Sequence, residues 1–238
     1  MKEKFVGILG GMGPDATGTF FQNILRATVA RSDQDHFRIL IYNNPKIPDR
    51  TAAILENGAD PLPELIASAK LLEHAGVDFM TIPCVTAHYF YDGIRAAVNI
   101  PILHIVKETL QYAATRHPEC KTLGLLATRG TIRTGQFQQV ADEMGITILS
   151  PAEDVLQQYV MPAVYHYVKA GVLTGEPTRL LQHAAEHLIH AGAQAIIAGC
   201  TEIPLALQAA DVAVPLLDPL RILAQAVVRE VKRDLHDS

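Results

Sequence analysis

HAGVDFMTIPCVTAH, residues 74–88, and HAGAQAIIAGCTE, residues 190–202, are two forms of one stretch, and their likeness decides the fold. Set His74 over His190 and both run without a gap through Ala-Gly and an apolar run to a cysteine, the offset being 190 − 74 = 200 − 84 = 116. Each reads as a helix end that feeds a short buried strand, and each cysteine falls where the strand finishes. In open α/β sheets that is where ligands bind.

Two further blocks repeat in the same order. Lys4-Phe-Val-Gly7 aligns with Lys121-Thr-Leu-Gly124 at an offset of 121 − 4 = 117, which brings Gly13 onto Gly130, Thr17 onto Thr134 and Phe20 onto Phe137. VNIPILHI, with Pro101, aligns with VAVPLLDP, with Pro215, at 215 − 101 = 114. A duplicated unit with strands and helical patterns alternating throughout predicts an α/β fold of two pseudo-symmetric lobes, each a small parallel sheet flanked by helices. The expected lobes are residues 1–100 with 214–238, and residues 101–213, with the active site in the cleft between them.

Composition sets limits on function. The 238 residues are 49% hydrophobic and 19% charged, so the chain folds around a substantial core. A net charge of −5, with no long Lys/Arg cluster, argues against nucleic acid and anionic membranes as partners. No apolar run is long enough for a membrane span or signal peptide, which points to the cytoplasm. Three cysteines without Cys-x-x-Cys spacing suit a reducing compartment.

Along the chain, a strand over 4–9 leads into GGMGP and a helix over 15–31. Gly11, Gly13 and Ala16 fit G-x-G-x-x-A, but the second strand, 37–42, ends in Asn43-Asn44-Pro45 where a dinucleotide fold needs an acid. In the next loop Arg50 is either a solvated charge or a planar grip for a carboxylate. After a strand over 77–82, Pro83 turns the chain and sets Cys84 near a helix N-terminus, a position that lowers a thiol's pKa, with the hydroxyl of Thr86 two residues on. His88 completes Cys-x-x-x-His, yet no second ligand pair for zinc is visible. Thr128 and Thr131 suit either an anion or a helix cap, Lys169 closes a helix over 154–170, and Cys120 has no counterpart in the first half and reads as incidental. If both strand-end cysteines face one cleft, Cys84 and Cys200 approach a substrate from opposite sides. One thiolate would take an α-proton and the other thiol would deliver one to the far face.

GILGGMGPDAT, NNPKIPDRTAAIL, PCVTAH, LATRGTIRTG, VKAG and AGCTEIP, spread from residue 7 to 204, resemble the aspartate racemases of the cofactor-independent aspartate/glutamate racemase superfamily. The resemblance implies interconversion of L- and D-aspartate without a cofactor, usually by a homodimer, with Cys84 and Cys200 as bases. It implies Arg50 and Lys169 as the cations for substrate carboxylate. Thr86, Thr128, Thr131 and Thr201 would supply hydroxyls, Gly11 and Met12 a loop wall, and the C-terminal helix, 220–235, would pack on the first lobe. One position departs: Val85 stands where the family has asparagine, and losing a hydrogen bond to a charged group costs about 1.5–3 kcal/mol. Glu202 replaces the histidine of the glutamate racemases' Gly-Cys-Thr-His. Racemisation of another amino acid, dicarboxylate isomerisation or decarboxylation, and an inactive anion-binding module are the alternatives.

Overall fold

The computed structural model describes residues 3–233. Among these described residues eight strands form two all-parallel sheets: β1 (Val6–Gly10), β2 (Ile39–Asn43), β3 (Phe79–Thr81) and β4 (Ile102–Leu103) in the order β2-β1-β3-β4, and β5 (Thr122–Leu126), β6 (Thr147–Leu149), β7 (Ala195–Ala198) and β8 (Leu216–Leu217) in the order β6-β5-β7-β8. The central strands β1, β3 and β7 are buried along their whole length, as continuous apolar runs covered on both faces must be.

The duplication extends to individual contacts. Met80 pairs with Ile102 as Ile196 pairs with Leu216. A methyl added at Gly7 would press on Val77 and Met80, and one at Gly124 on Ala193 and Ile196, the same neighbours 116 residues on (193 − 77 = 196 − 80). The helix Leu62–His74 buries Leu65, Ala69 and Leu72 on one stripe, and the helix Glu176–His190 buries Leu181, Ala185 and Leu188 on the matching one. Each stops against a glycine in the left-handed region, Gly76 at φ 81° and Gly192 at φ 102°.

The chain divides into one compact unit that runs to Glu108 and resumes at Leu220, and another of Thr109–Pro219. These boundaries lie beyond those expected at 100/101 and 213/214. The reason is strand pairing: β4 is hydrogen-bonded to β3 and β8 to β7, so each short strand closes the sheet before it. From Leu220 on, the helix Pro219–Arg233 belongs to the first unit, where Lys4 Nζ meets Glu230 Oε1 at 2.8 Å and Arg229 pairs with Glu108. Asp234 and Leu235 lie outside the described residues.

Local differences from expectation have local causes. The first helix, Pro14–Ala27, is shorter than residues 15–31, its last turn closed by the Thr28 hydroxyl donating to Ile24 O at 2.8 Å. The helix expected over 154–170 is irregular. It opens as Glu153–Val155, widens to π turns over Leu156–Val160 and Ala163–Tyr167, and tightens to a 3₁₀ turn at Val168–Ala170. Pro162 stands between the two wide turns, where it lacks an N–H to donate.

Candidate active site

Both sheets share one topological consequence. From β1 the chain crosses to β2 on one side and returns to β3 on the other, so the connections leaving β1 and β3 diverge and open a crevice at their carboxyl ends. Gly11 and Met12 follow β1 and Cys84 follows β3 after Ile82 and Pro83; in the second unit Thr128 follows β5 and Cys200 follows β7. Each unit therefore carries a cysteine at its own switch point.

In the first unit Gly11 is fixed by geometry. Its φ is 99° and a methyl there would overlap the backbone of Asn44, which leaves β2 and donates its own N–H to Gly10 O at 3.2 Å. Gly11 N–H donates to Thr17 Oγ1 at 2.9 Å, and that hydroxyl donates to Gly13 O at 2.9 Å, tying the loop to the first turn of its helix. Met12 packs in the same apolar cluster as Cys84, which is only 5% exposed. The turn after Cys84 is held by His88: its Nδ1–H donates to Cys84 O at 2.9 Å while its Nε2 accepts Ile105 N–H at 3.3 Å. That pairing assigns the neutral tautomer, and burial pushes the His88 pKa down to about 4. His88 thus anchors the turn through both ring nitrogens. Cys84 precedes a 3₁₀ segment, Thr86–Phe90, before the α-helix Tyr91–Ala97 begins, in place of a single helix. Val85 is 2% exposed, and Thr86 is buried.

Arg50 is no solvated charge. It is 9% exposed, opens the helix Arg50–Leu55 behind the Asp49 cap, and donates through Nη1 to Ile47 O at 3.2 Å and Pro48 O at 2.9 Å. Its Nε is buried and has no hydrogen-bond partner among the described residues.

In the second unit Thr128 acts as the cap of the helix Arg129–Thr134, accepting Thr131 N–H at 3.5 Å, with the two hydroxyls 3.4 Å apart. The Cys200 thiol donates to Glu202 Oε2 at 3.0 Å, and Thr201 Oγ1 donates to the same oxygen at 3.3 Å. Burial, then the Glu202 charge, hold the Cys200 thiol well above its ordinary pKa, against a weaker opposing pull from Lys169. Lys169 Nζ also lies 4.1 Å from the centre of the Tyr165 ring. Glu202, read in the sequence only as a departure from the glutamate racemases' histidine, is the carboxylate that bonds the Cys200 thiol. Its signal was the Cys-x-Glu spacing, which returns the carboxylate to the sulfur within one turn. His88 and Thr17 were likewise missed as anchors, since local bonding partners are not written in spacing.

The model of the Asp/Glu/hydantoin racemase family matches residues 9–227. The broad specificity amino-acid racemase RacX of Bacillus subtilis is 30% identical over 229 residues, which cover 94% of this chain and 96% of that protein. Among solved structures, the Picrophilus torridus aspartate racemase is 30% identical with a TM-score of 0.81, the match covering 96% of this chain and 94% of that one. An aspartate racemase homologue from Pyrococcus horikoshii OT3, at 21% identity and a TM-score of 0.77 over 96% and 99% of the two chains, shares the fold. With two four-stranded parallel sheets and a cysteine at each switch point, the chain belongs to the Asp/Glu/hydantoin racemase family and is an isomerase.

Proposed function

We propose that the protein racemises amino acids by two-base proton transfer at the α-carbon, with Cys84 and Cys200 as the bases and aspartate as the first substrate to test. The observation that carries the reading is the equivalence of the two thiols, each at the carboxyl end of the third strand of its sheet. In one direction the Cys84 thiolate takes the α-proton, forming S–H as the Cα–H bond breaks, and the Cys200 thiol returns a proton to the opposite face. In the other direction the roles exchange.

Glu202 makes that exchange feasible. A thiolate at Cys200 beside a carboxylate is electrostatically unfavourable, but moving the proton from Sγ to Oε2 across 3.0 Å yields a thiolate without changing the pair's net charge. Arg50 supplies the matching attraction for substrate. Two backbone carbonyls occupy Nη1, leaving the edge formed by Nε and Nη2 for a bidentate carboxylate. A buried donor without a partner costs about 1–3 kcal/mol, which a bound carboxylate would recover. Lys169, close enough to act on Cys200, suits a second anionic group. Val85 supports a wider substrate range, because a buried valine neither donates to nor selects for an acidic side chain. The broad specificity of the Bacillus subtilis relative agrees with that second reading.

The test is incubation with L- and D-aspartate, then a panel of amino acids, in deuterated water, following α-proton exchange and optical inversion. Wild type should show both for at least one amino acid. Cys84→Ala and Cys200→Ala should each abolish inversion. Wild-type racemisation by either variant would overturn the two-base reading, and absence of exchange with every amino acid would overturn the activity.

A further inference from the structure

The loop HPEC, residues 117–120, lies outside the switch-point site and between the helix Ile105–Arg116 and β5. It is a tight turn: Cys120 N–H donates to His117 O at 2.9 Å, with Pro118 fixing φ at the second position. The turn gathers three different donors. His117 Nδ1 stands 3.7 Å from Glu119 Oε1, Cys120 Sγ stands 3.7 Å from the same oxygen, and all three ligand atoms lie within 4.8 Å of one another.

We propose that His117, Glu119 and Cys120 form a binding site for a borderline-soft divalent cation such as Zn²⁺. The distances carry this. Metal bonds of about 2.0–2.3 Å at tetrahedral angles put neighbouring ligand atoms about 3.4–3.6 Å apart, so two of the three edges need to contract by only a few tenths of an ångström. A mixed nitrogen, sulfur and carboxylate set selects zinc-like ions over Mg²⁺ or Ca²⁺. Three protein ligands leave the fourth position to water. Loading forms the Zn–S bond and releases the thiol proton to solvent, so affinity rises with pH.

The frame is rigid. Gln194 Oε1 accepts the N–H groups of Lys121 at 2.7 Å and Thr122 at 3.0 Å, and Gln194 O accepts the Cys120 thiol at 3.7 Å. This clamp holds the turn at the amino ends of β5 and β7, the opposite end of the sheet from Cys200. The cation would fasten a helix end to its sheet and take no part in racemisation.

Anaerobic titration of the full chain with Co²⁺ should give one equivalent bound with sulfur-to-cobalt charge-transfer absorption, displaced by Zn²⁺. Cys120→Ser should remove that band. His117→Ala and the exposed Glu119→Gln should each weaken binding by at least about tenfold, while Cys84→Ala/Cys200→Ala keeps the band. The site is refuted if wild type gives no thiolate band, or if the band survives Cys120→Ser and disappears with the two switch-point cysteines.

Discussion

Lowering the pH should unfasten the turn that carries Cys84, and the size of the effect follows from His88. In the folded chain its pKa is about 4, against 6.5 for the free side chain, because the ring is buried. Between those values the unfolded chain binds a proton that the folded chain refuses, so unfolding takes up a proton and stability falls as pH falls. His88's share of the loss, 6.5 − 4 = 2.5 units when complete, is about 3 kcal/mol. From about pH 7.5 to about pH 5 it is about 2 kcal/mol. Protonation also removes the lone pair with which Nε2 accepts Ile105 N–H, a loss that the backbone of Leu103, which favours the charged ring, offsets only in part. His104, 4.6 Å away ring to ring, is pushed to about 3 by burial and by His88, so the pair resists charging together. Urea denaturation followed by circular dichroism at the two pH values measures the loss. His88→Gln should be less stable at neutral pH yet lose about 2 kcal/mol less than wild type on acidification. Equal losses in the two proteins would refute the assignment of His88 as a buried neutral anchor.

Other changes have equally definite outcomes. Glu202→Gln removes the carboxylate that receives the Cys200 proton: racemisation should fall by about 100-fold, while alkylation of Cys200 in a Cys84→Ala/Cys120→Ser background should shift its midpoint to lower pH. Arg50→Lys cannot offer a planar edge and should raise KM at least about tenfold with little loss of fold, as read by steady-state kinetics and thermal melting. Gly11→Ala should destabilise by about 2–4 kcal/mol, since φ is 99° and the methyl meets the Asn44 backbone; an unchanged melting temperature would contradict it. Val85→Asn should improve kcat/KM for aspartate by about tenfold or more relative to neutral amino acids if its amide reaches the substrate.

Repetition made the fold legible in the sequence. Two cysteine blocks at one offset led to two parallel sheets because the same apolar spacing must bury the same faces, and Leu65 and Leu181 sit on matching stripes. The compact units end past the expected boundaries, where the message is two residues long: β4 and β8 reveal their sheet only by pairing. At the site, the cysteines were readable from strand ends, whereas the bonding around them was not. Thr128 reads alike as anion ligand or cap until its oxygen is seen accepting Thr131 N–H. The helix expected over 154–170 passed over Pro162, and nothing in the spacing told that the turns on either side would widen. The contacts of Cys120 are with its immediate neighbours, and a turn that brings His117 near Glu119 leaves no periodic trace.

The repeat is faithful in backbone and unfaithful in chemistry, and thermodynamics limits where that difference can show. Carried across at 116, Val85 corresponds to Thr201 and Thr86 to Glu202, so the residue two beyond the sulfur is a hydroxyl in one unit and a carboxylate in the other. The Cys200 thiol is therefore held protonated by burial and by Glu202, while no carboxylate stands at the matching place beside Cys84. Enantiomers have equal free energies in water. For a racemase the ratio kcat/KM must then be the same in both directions at every pH, whatever the two thiols are like. Their inequality has to emerge as compensating differences in kcat and KM taken separately. It should emerge again in single alanine variants in deuterated water, where the remaining thiol exchanges the α-proton of one enantiomer only. If Cys84→Ala and Cys200→Ala exchanged the same enantiomer, the two sulfurs would be serving one face of the substrate, and the duplicated backbone would be irrelevant to the chemistry.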